Sequence, residues 1–186
     1  MSSLLAALGL VFVAELGDKT QLVAIGLGAR HRVVPVLTGL TLGYALSNLL
    51  SVAVGSALGA ALPTTAIGLA GGVAFLGFAA WTLRGEDAGE PDVPDGATWQ
   101  TIVPSVAATM FVAELGDKTM LATATLAAGG DPLLVWVGAT IGITASGAVG
   151  VAVGRAAGAR LPPRATRLAA AALFAAFGVA LIATNL

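Results

Sequence analysis

Long apolar runs separated by short polar breaks dominate the chain, and apolar and polar faces do not alternate along it. Six stretches, 3–28, 33–61, 65–83, 99–128, 132–155 and 166–184, are apolar over nearly their whole length. Each approaches or exceeds the roughly 20 helical residues needed to cross a bilayer. The pattern predicts an all-α integral membrane protein with six transmembrane helices. The one long polar stretch, 84–98, is rich in Glu, Asp, Pro and Gly and reads as a flexible acidic linker.

Composition points the same way. The chain is 57% hydrophobic and 10% charged, with a mean hydropathy of +0.93. A soluble domain carries about 25% charged residues, so this chain has too little polar surface to cover itself in water. A net charge of −1 leaves no basic footprint for nucleic acid. The lack of cysteine excludes disulfides, thiolate metal sites and thiol catalysis. The single histidine, His31, stands between Arg30 and Arg32 and reads as part of a solvated turn, not a metal ligand. The first apolar run resembles a signal peptide only in hydrophobicity. It contains Glu15, Asp18 and Lys19 and lacks a basic start and a clean cleavage site, so it reads as the first span.

The halves 1–83 and 99–186 are copies. A shift of 99 residues lays Phe12–Thr20 onto Phe111–Thr119 without a difference. The alignment continues without a gap through Gly39 and Gly138, Ser47 and Ser146, and Val52-Ala53-Val54-Gly55 on Val151-Ala152-Val153-Gly154. It also pairs Leu62-Pro63 with Leu161-Pro162. Three spans per copy is an odd number, so the second copy enters the membrane from the opposite side. That is the inverted repeat common in secondary transporters, with the site at the repeat interface near the midplane. Arg30, Arg32, Arg84, Arg155, Arg160, Arg164 and Arg167 all fall on one side if the spans alternate. The positive-inside rule then places these loops in the cytoplasm and both termini outside.

Charges stand near mid-span at two places: Glu15, Asp18 and Lys19 near the middle of the first span, and Glu114, Asp117 and Lys118 near the middle of the fourth. Each charge at a helix centre costs on the order of 2.5–3.5 kcal/mol on insertion scales, so six unpaired charges cost roughly 15–20 kcal/mol. On a continuous helix Glu and Asp three apart share a face, with the lysine close to the glutamate. Gly17 and Gly116 permit close helix approach or a local break. Internal Glu–Lys pairs serving stability alone are the competing reading, but a buried pair rarely outperforms an apolar replacement. For Lys19 and Lys118 the roles open are charge balance and a place on a proton path.

Glu15, Asp18, Glu114 and Asp117 form an oxygen-rich metal site suited to Ca²⁺, Mn²⁺ or Mg²⁺. Burial disfavours the charged carboxylate, so protons compete with the cation for the same oxygens, the physical basis of antiport. Thr20 and Thr119 either complete the shell or bond back to a helix carbonyl. The copies diverge at Gln21 and Met120; a thioether ligand at Met120 would favour Mn²⁺ over Ca²⁺. In the second and fifth spans, Gly39, Gly43, Ser47, Ser51, Gly55 and Gly59, and Gly138, Gly142, Ser146, Gly150, Gly154 and Gly158, recur every four residues. Such small residues allow close helix packing. Ser47, Asn48 and Ser146 fall at the depth of the carboxylates and are further ligand or supporting candidates.

Glu-Leu-Gly-Asp-Lys-Thr, at Glu15–Thr20 and again at Glu114–Thr119, resembles the signature Glu-x-Gly-Asp-(Lys/Arg)-(Ser/Thr) of small cation/proton exchangers. These are the Gdt-one group, once catalogued as uncharacterised protein family sixteen, and the resemblance covers essentially the whole chain. It implies that Glu15, Asp18, Glu114 and Asp117 bind the cation and that Mn²⁺ or Ca²⁺ is exported against protons, with no prosthetic group. The short chain is similar to prokaryotic plasma-membrane members. Partners implied are the metal ion, protons and the bilayer, with a homodimer left open. Two other functions are weighed. A passive cation channel would line a pore with the same acids. An intramembrane aspartyl protease would use Asp18 and Asp117, but Glu15 stands where its motif needs glycine and no Pro-Ala-Leu segment follows.

Overall fold

In the computed structural model, the described residues are all but 17, 62, 84–92, 95, 158–162 and 186. All their regular structure is helical. Eight helices follow in order: α1 Ser2–Glu15, α2 Lys19–Arg30, α3 Val33–Ala61, α4 Thr64–Thr82, α5 Trp99–Glu114, α6 Lys118–Gly129, α7 Pro132–Ala157 and α8 Pro163–Asn185. Most of the linker 84–98, together with Arg84, Arg160, Gly158 and Gly17, lies outside the described residues.

The expected first and fourth spans are each two helices, not one. At 1.5 Å per residue, pieces of this length reach only about 18–24 Å, short of the roughly 30 Å hydrocarbon core. The cause lies in the motif. Leu115 is extended (φ −65°, ψ 117°), Gly116 has φ +78°, and the Asp117 N–H donates to the Glu114 carbonyl at 3.2 Å. These are the values of a type II turn, which needs positive φ at its third residue and so favours glycine there. The first copy repeats the pattern: Leu16 has φ −65° and ψ 115°, and the Asp18 N–H donates to the Glu15 carbonyl at 3.2 Å. Glu and Asp therefore do not share a helical face, as a continuous span would place them. The glutamate ends one helix and the aspartate opens the next.

Among the described residues two helices, α3 and α7, are long and apolar enough to cross a membrane. They touch at the centre of the molecule, and each packs on the broken pair of the other half: α7 on α1 and α2, α3 on α5 and α6. The small-residue stripe explains how. A Cβ on Gly39 or Gly43 would run into the backbone of α5 at Val103 and Ala107; one on Gly55 or Gly59 would run into α6 at Ala124 and Ala128. In the other copy Gly138 and Gly142 meet α1 at Leu4 and Leu8, and Gly154 meets α2 at Ile25. Every one of these contacts that has a described counterpart is matched under the 99-residue shift. Missing side chains let the backbones approach closely enough for the long helix to lie along both pieces of the broken one.

The main core lies at this crossing and includes Val11, Val36, Leu40, Tyr44, Val106, Met110, Val135, Ala139 and Ile143. Helices α4 and α8 pack on each other, crossing at Gly72 and Gly178. A smaller cluster of Leu10, Ala14, Phe75, Ala79 and Ala122 joins α4 to α1 and α6. On the outside α3 presents Leu42, Leu46, Leu49 and Leu50, each at least 41% exposed. An apolar outer surface of this kind has a favourable solvent only in lipid.

Candidate metal centre

Both breaks bring their carboxylates to the middle of the bundle. Glu15 and Glu114 are 1% and 2% exposed, fully removed from water. Each glutamate accepts a hydrogen bond from the threonine five residues on: Thr20 Oγ1 to Glu15 Oε2 at 2.7 Å, and Thr119 Oγ1 to Glu114 Oε2 at 2.8 Å. The threonines therefore neither bond back to the helix nor stand free; they orient the glutamates. The second oxygen of each, Glu15 Oε1 and Glu114 Oε1, is buried without a hydrogen-bond partner. A buried, unpartnered carboxylate oxygen is costly and needs a counter-charge.

Glu15, Glu114 and Asp117 each offer an oxygen within 4.8 Å of the others. Oxygens bound to one ion at 2.0–2.6 Å stand at most about 4–5 Å apart, so one divalent ion can be reached by all three. Asp18 has a different partner: its Oδ2 lies 2.5 Å from Lys118 Nζ, an ion pair between the two motif copies. The expected closeness of lysine to the glutamate of its own motif is replaced, for Lys118, by this pairing with the other copy's aspartate. The Lys19 side chain lies outside what is described.

Asp18 and Asp117 occupy the N-cap positions of α2 and α6, yet neither makes a side-chain cap bond. An aspartate at this position ordinarily spends an oxygen on the helix N–H groups; here that oxygen is left for the centre. The positive ends of α2 and α6 still face the carboxylates and offset part of their mutual repulsion.

The remaining sequence candidates surround this group. Gln21 donates from Nε2 to the Ser146 carbonyl at 3.2 Å and to its Oγ at 3.3 Å, tying α2 to α7. Asn48 donates to Thr140 Oγ1 at 3.3 Å and accepts from Thr123 Oγ1 at 3.4 Å. Ser47 is buried, and its carbonyl accepts from Ser51. The Met120 sulfur accepts from the Gly116 N–H at 3.2 Å, supporting the turn. His31 is buried, not solvated as its arginine neighbours suggest, and its N–H closes α2 on the Leu27 carbonyl at 2.8 Å.

Sequence reasoning missed Tyr44. It is 1% exposed and lies near both Glu15 and Glu114. The available signal was a single tyrosine, the chain's only one, in the middle of an otherwise aliphatic span.

Comparison with known proteins bears directly on this arrangement. The family described as "Divalent cation/proton antiporter GDT1" matches residues 3–90 and 102–186. A Vibrio cholerae protein named "Putative manganese exporter" is 32% identical over 180 residues, covering 94% of this chain and 87% of its own length. The GDT1-like protein sll0615 of Synechocystis is 35% identical over 201 residues, covering 96% of each. The chloroplast protein PAM71 of Arabidopsis thaliana is 42% identical over 82 residues, covering 44% of this chain and 22% of its own. No solved structure matches the chain. A match across both halves, with two relatives aligned over nearly their full length, establishes that the chain belongs to the GDT1 family of divalent cation/proton antiporters.

Proposed function

We propose that this chain exports Mn²⁺, with Ca²⁺ as the alternative substrate, in exchange for protons, and that Glu15, Glu114 and Asp117 are the ligands that take the ion. The observation that carries this reading is the convergence of three carboxylate oxygens within 4.8 Å, together with the unpartnered buried oxygen on each glutamate. Oxygen donors of this kind suit hard and borderline divalent cations. The name of the Vibrio relative favours manganese. When the ion leaves, close carboxylates at mid-membrane repel one another, and protons replace part of its charge.

Counted as crossings, each broken pair is one span, giving six spans in two inverted repeats of three. Reciprocal packing of the two halves supports this count. The arginine side then faces the cytoplasm and both termini face outside, in the plasma membrane of a prokaryote. Labelling of single cysteines placed at Ser2 and Asn185 tests the orientation; labelling from the cytoplasmic side at either overturns it.

The activity is tested in proteoliposomes holding the purified protein and a pH-sensitive dye. Added Mn²⁺ is expected to enter while protons leave, and the flux is expected to slow when a protonophore collapses the gradient at clamped potential. An unchanged Mn²⁺ flux under those conditions would mean a passive channel.

A further inference from the structure

The two motif copies are identical in sequence, but the residues around them are not. Under the 99-residue shift Gln21 of α2 is matched by Met120, Asn48 of α3 by Gly147, and Thr123 of α6 by Ala24. Two interfaces join a short helix that opens with a motif aspartate to a long helix: α2 on α7, and α6 on α3. Each holds one buried amide side chain. The short helix supplies it in the first, as Gln21, and the long helix supplies it in the second, as Asn48.

Both amides bond across the interface between the repeats. Gln21 reaches Ser146 on α7. Asn48 accepts from Thr123 Oγ1 on α6 at 3.4 Å and donates to Thr140 Oγ1 on α7 at 3.3 Å. A threonine inside a helix commonly bonds back to the carbonyl four residues earlier, as Thr38, Thr41, Thr125 and Thr184 do here. Thr123, 0% exposed, turns to Asn48 instead. It stands one turn beyond Thr119, on the same face of α6. The opening turn of this 12-residue helix carries much of the centre: Asp117 at the N-cap, Lys118 paired with Asp18, and Thr119 bonded to Glu114. A small rotation of α6 would move all three together.

We infer that Asn48 is a positioning residue for cation binding: acting through Thr123, it fixes the site end of α6, and with it Asp117 and Glu114, as Gln21 fixes the site end of α2. Two residues that do not match under the repeat thus do the same work on the two short helices. This rests on the reading of Glu114 and Asp117 as ligands and adds to it residues outside both motifs. A buried amide is costly in an apolar bundle unless it is bonded, and an apolar side chain would fill the place of Asn48 if packing were its only task.

The test reads Mn²⁺ binding, by loss of the free-ion paramagnetic resonance signal, together with transport KM and kcat. An interhelical hydrogen bond in a membrane protein is worth about 0.6–1.7 kcal/mol, so Asn48→Ala is expected to weaken Mn²⁺ binding roughly three- to twentyfold. The rise is expected in KM, with kcat less affected. In a Thr123→Val background Asn48→Ala is expected to add little, because its bond to Thr140 does not touch α6. In a Gln21→Leu background, which loosens the other short helix, it keeps its full effect. Thr123→Ser retains the hydroxyl and is expected to bind like the parent. A further set transplants the first interface onto the second. Gly150 makes room for Gln21, whose Cγ lies 3.1 Å from where a Cβ on that glycine would stand, and its match is Ser51. Asn48→Gly with Ser51→Gly is expected to bind Mn²⁺ weakly, and adding Met120→Gln to recover most of the affinity. Affinity of Asn48→Ala within twofold of the parent overturns the inference, as does an equal effect of Asn48→Ala in the Thr123→Val and Gln21→Leu backgrounds. Asp117→Asn separates the two levels of argument. If it binds Mn²⁺ like the parent, the ligand reading fails and this inference with it; if it loses Mn²⁺ while Asn48→Ala does not, only the role of Asn48 fails.

Discussion

Lys118 of the second motif neutralises Asp18 of the first, with Nζ 2.5 Å from Oδ2. The pair crosses the interface between the repeats and is largely buried, each side chain being 10–12% exposed. Asp18 is held by Lys118, and Asp117 supplies an oxygen to the group with Glu15 and Glu114.

Removing one member of that pair leaves a buried charge uncompensated, which typically costs about 3–5 kcal/mol. Lys118→Met is therefore expected to lower the thermal unfolding midpoint in detergent markedly. The double substitution Asp18→Asn with Lys118→Met removes both charges and is expected to recover most of the loss. Tryptophan fluorescence during heating measures it; a double variant no more stable than Lys118→Met would show that the pair does not hold the repeats together.

Neutralising the proposed ligands has the opposite profile. Glu15→Gln, Glu114→Gln and Asp117→Asn keep side-chain shape and are expected to lose at least tenfold in Mn²⁺ affinity while remaining folded, each having given up one charge at the ion. By relieving repulsion among buried carboxylates they are expected to leave the unfolding midpoint unchanged or raised. Asp18→Asn is expected to weaken Mn²⁺ binding less than Asp117→Asn. Equal losses at the two aspartates would mean that Asp18 bears on the ion as directly as Asp117 despite its pairing with Lys118.

The turn depends on glycine. Gly116 has φ +78°, a region that costs an L-residue about 1–2 kcal/mol. Gly116→Ala is expected to cost that much stability and to reduce transport beyond it, because the turn sets where Glu114 and Asp117 stand. Gly9, on a helix and with nothing within 4 Å of where a Cβ would stand, is the control. Gly9→Ala is expected to be neutral or slightly stabilising, as alanine is the better helix former. Comparable losses from both substitutions would remove the special role of the turn.

Much of this was legible in the chain, and what was not has physical reasons. The 99-residue shift anticipates the matched packing of α3 on α5 and α6 and of α7 on α1 and α2, because equal sequence faces equal sequence. The four-residue spacing of small residues anticipates where the backbones approach. The breaks were not legible beyond the presence of Gly17 and Gly116: Glu, Leu and Lys all favour helix, and local preference gives no reason to stop at Glu114. Once the helix stops, the spacing rules that bring Lys118 to Glu114 no longer apply, and the ammonium reaches Asp18 across the interface instead. Tyr44 is invisible to any pattern, because only the folded bundle brings it near Glu15 and Glu114.

Met120 shows how a partner redirects a side chain. A free thioether at the ion would favour Mn²⁺ over Ca²⁺, but this sulfur accepts from the Gly116 N–H at 3.2 Å. Met120→Leu is thus expected to leave the ratio of Mn²⁺ to Ca²⁺ transport within about twofold of the parent, since a bond to the turn carries no metal preference. A larger shift toward Ca²⁺ would return the sulfur to the ion.

The motif charges also set an expectation for voltage. Glu15, Asp18, Glu114 and Asp117 together with Lys19 and Lys118 leave two negative charges, which one divalent ion neutralises. If the empty centre returns across the membrane equally neutral, it carries two protons, and the exchange moves no net charge. An exchange of one proton per ion would instead move one positive charge, worth about 2.3 kcal/mol per 100 mV, or roughly a 50-fold change in the Mn²⁺ gradient at equilibrium. In proteoliposomes with potassium and valinomycin setting the potential, the final Mn²⁺ ratio is expected to follow the square of the proton ratio. It is also expected to stay unchanged as the potential is stepped by 100 mV. A ratio that follows the potential would mean that the lysines do not hold the remaining two carboxylates neutral, and that the charge of the ion is only half exchanged.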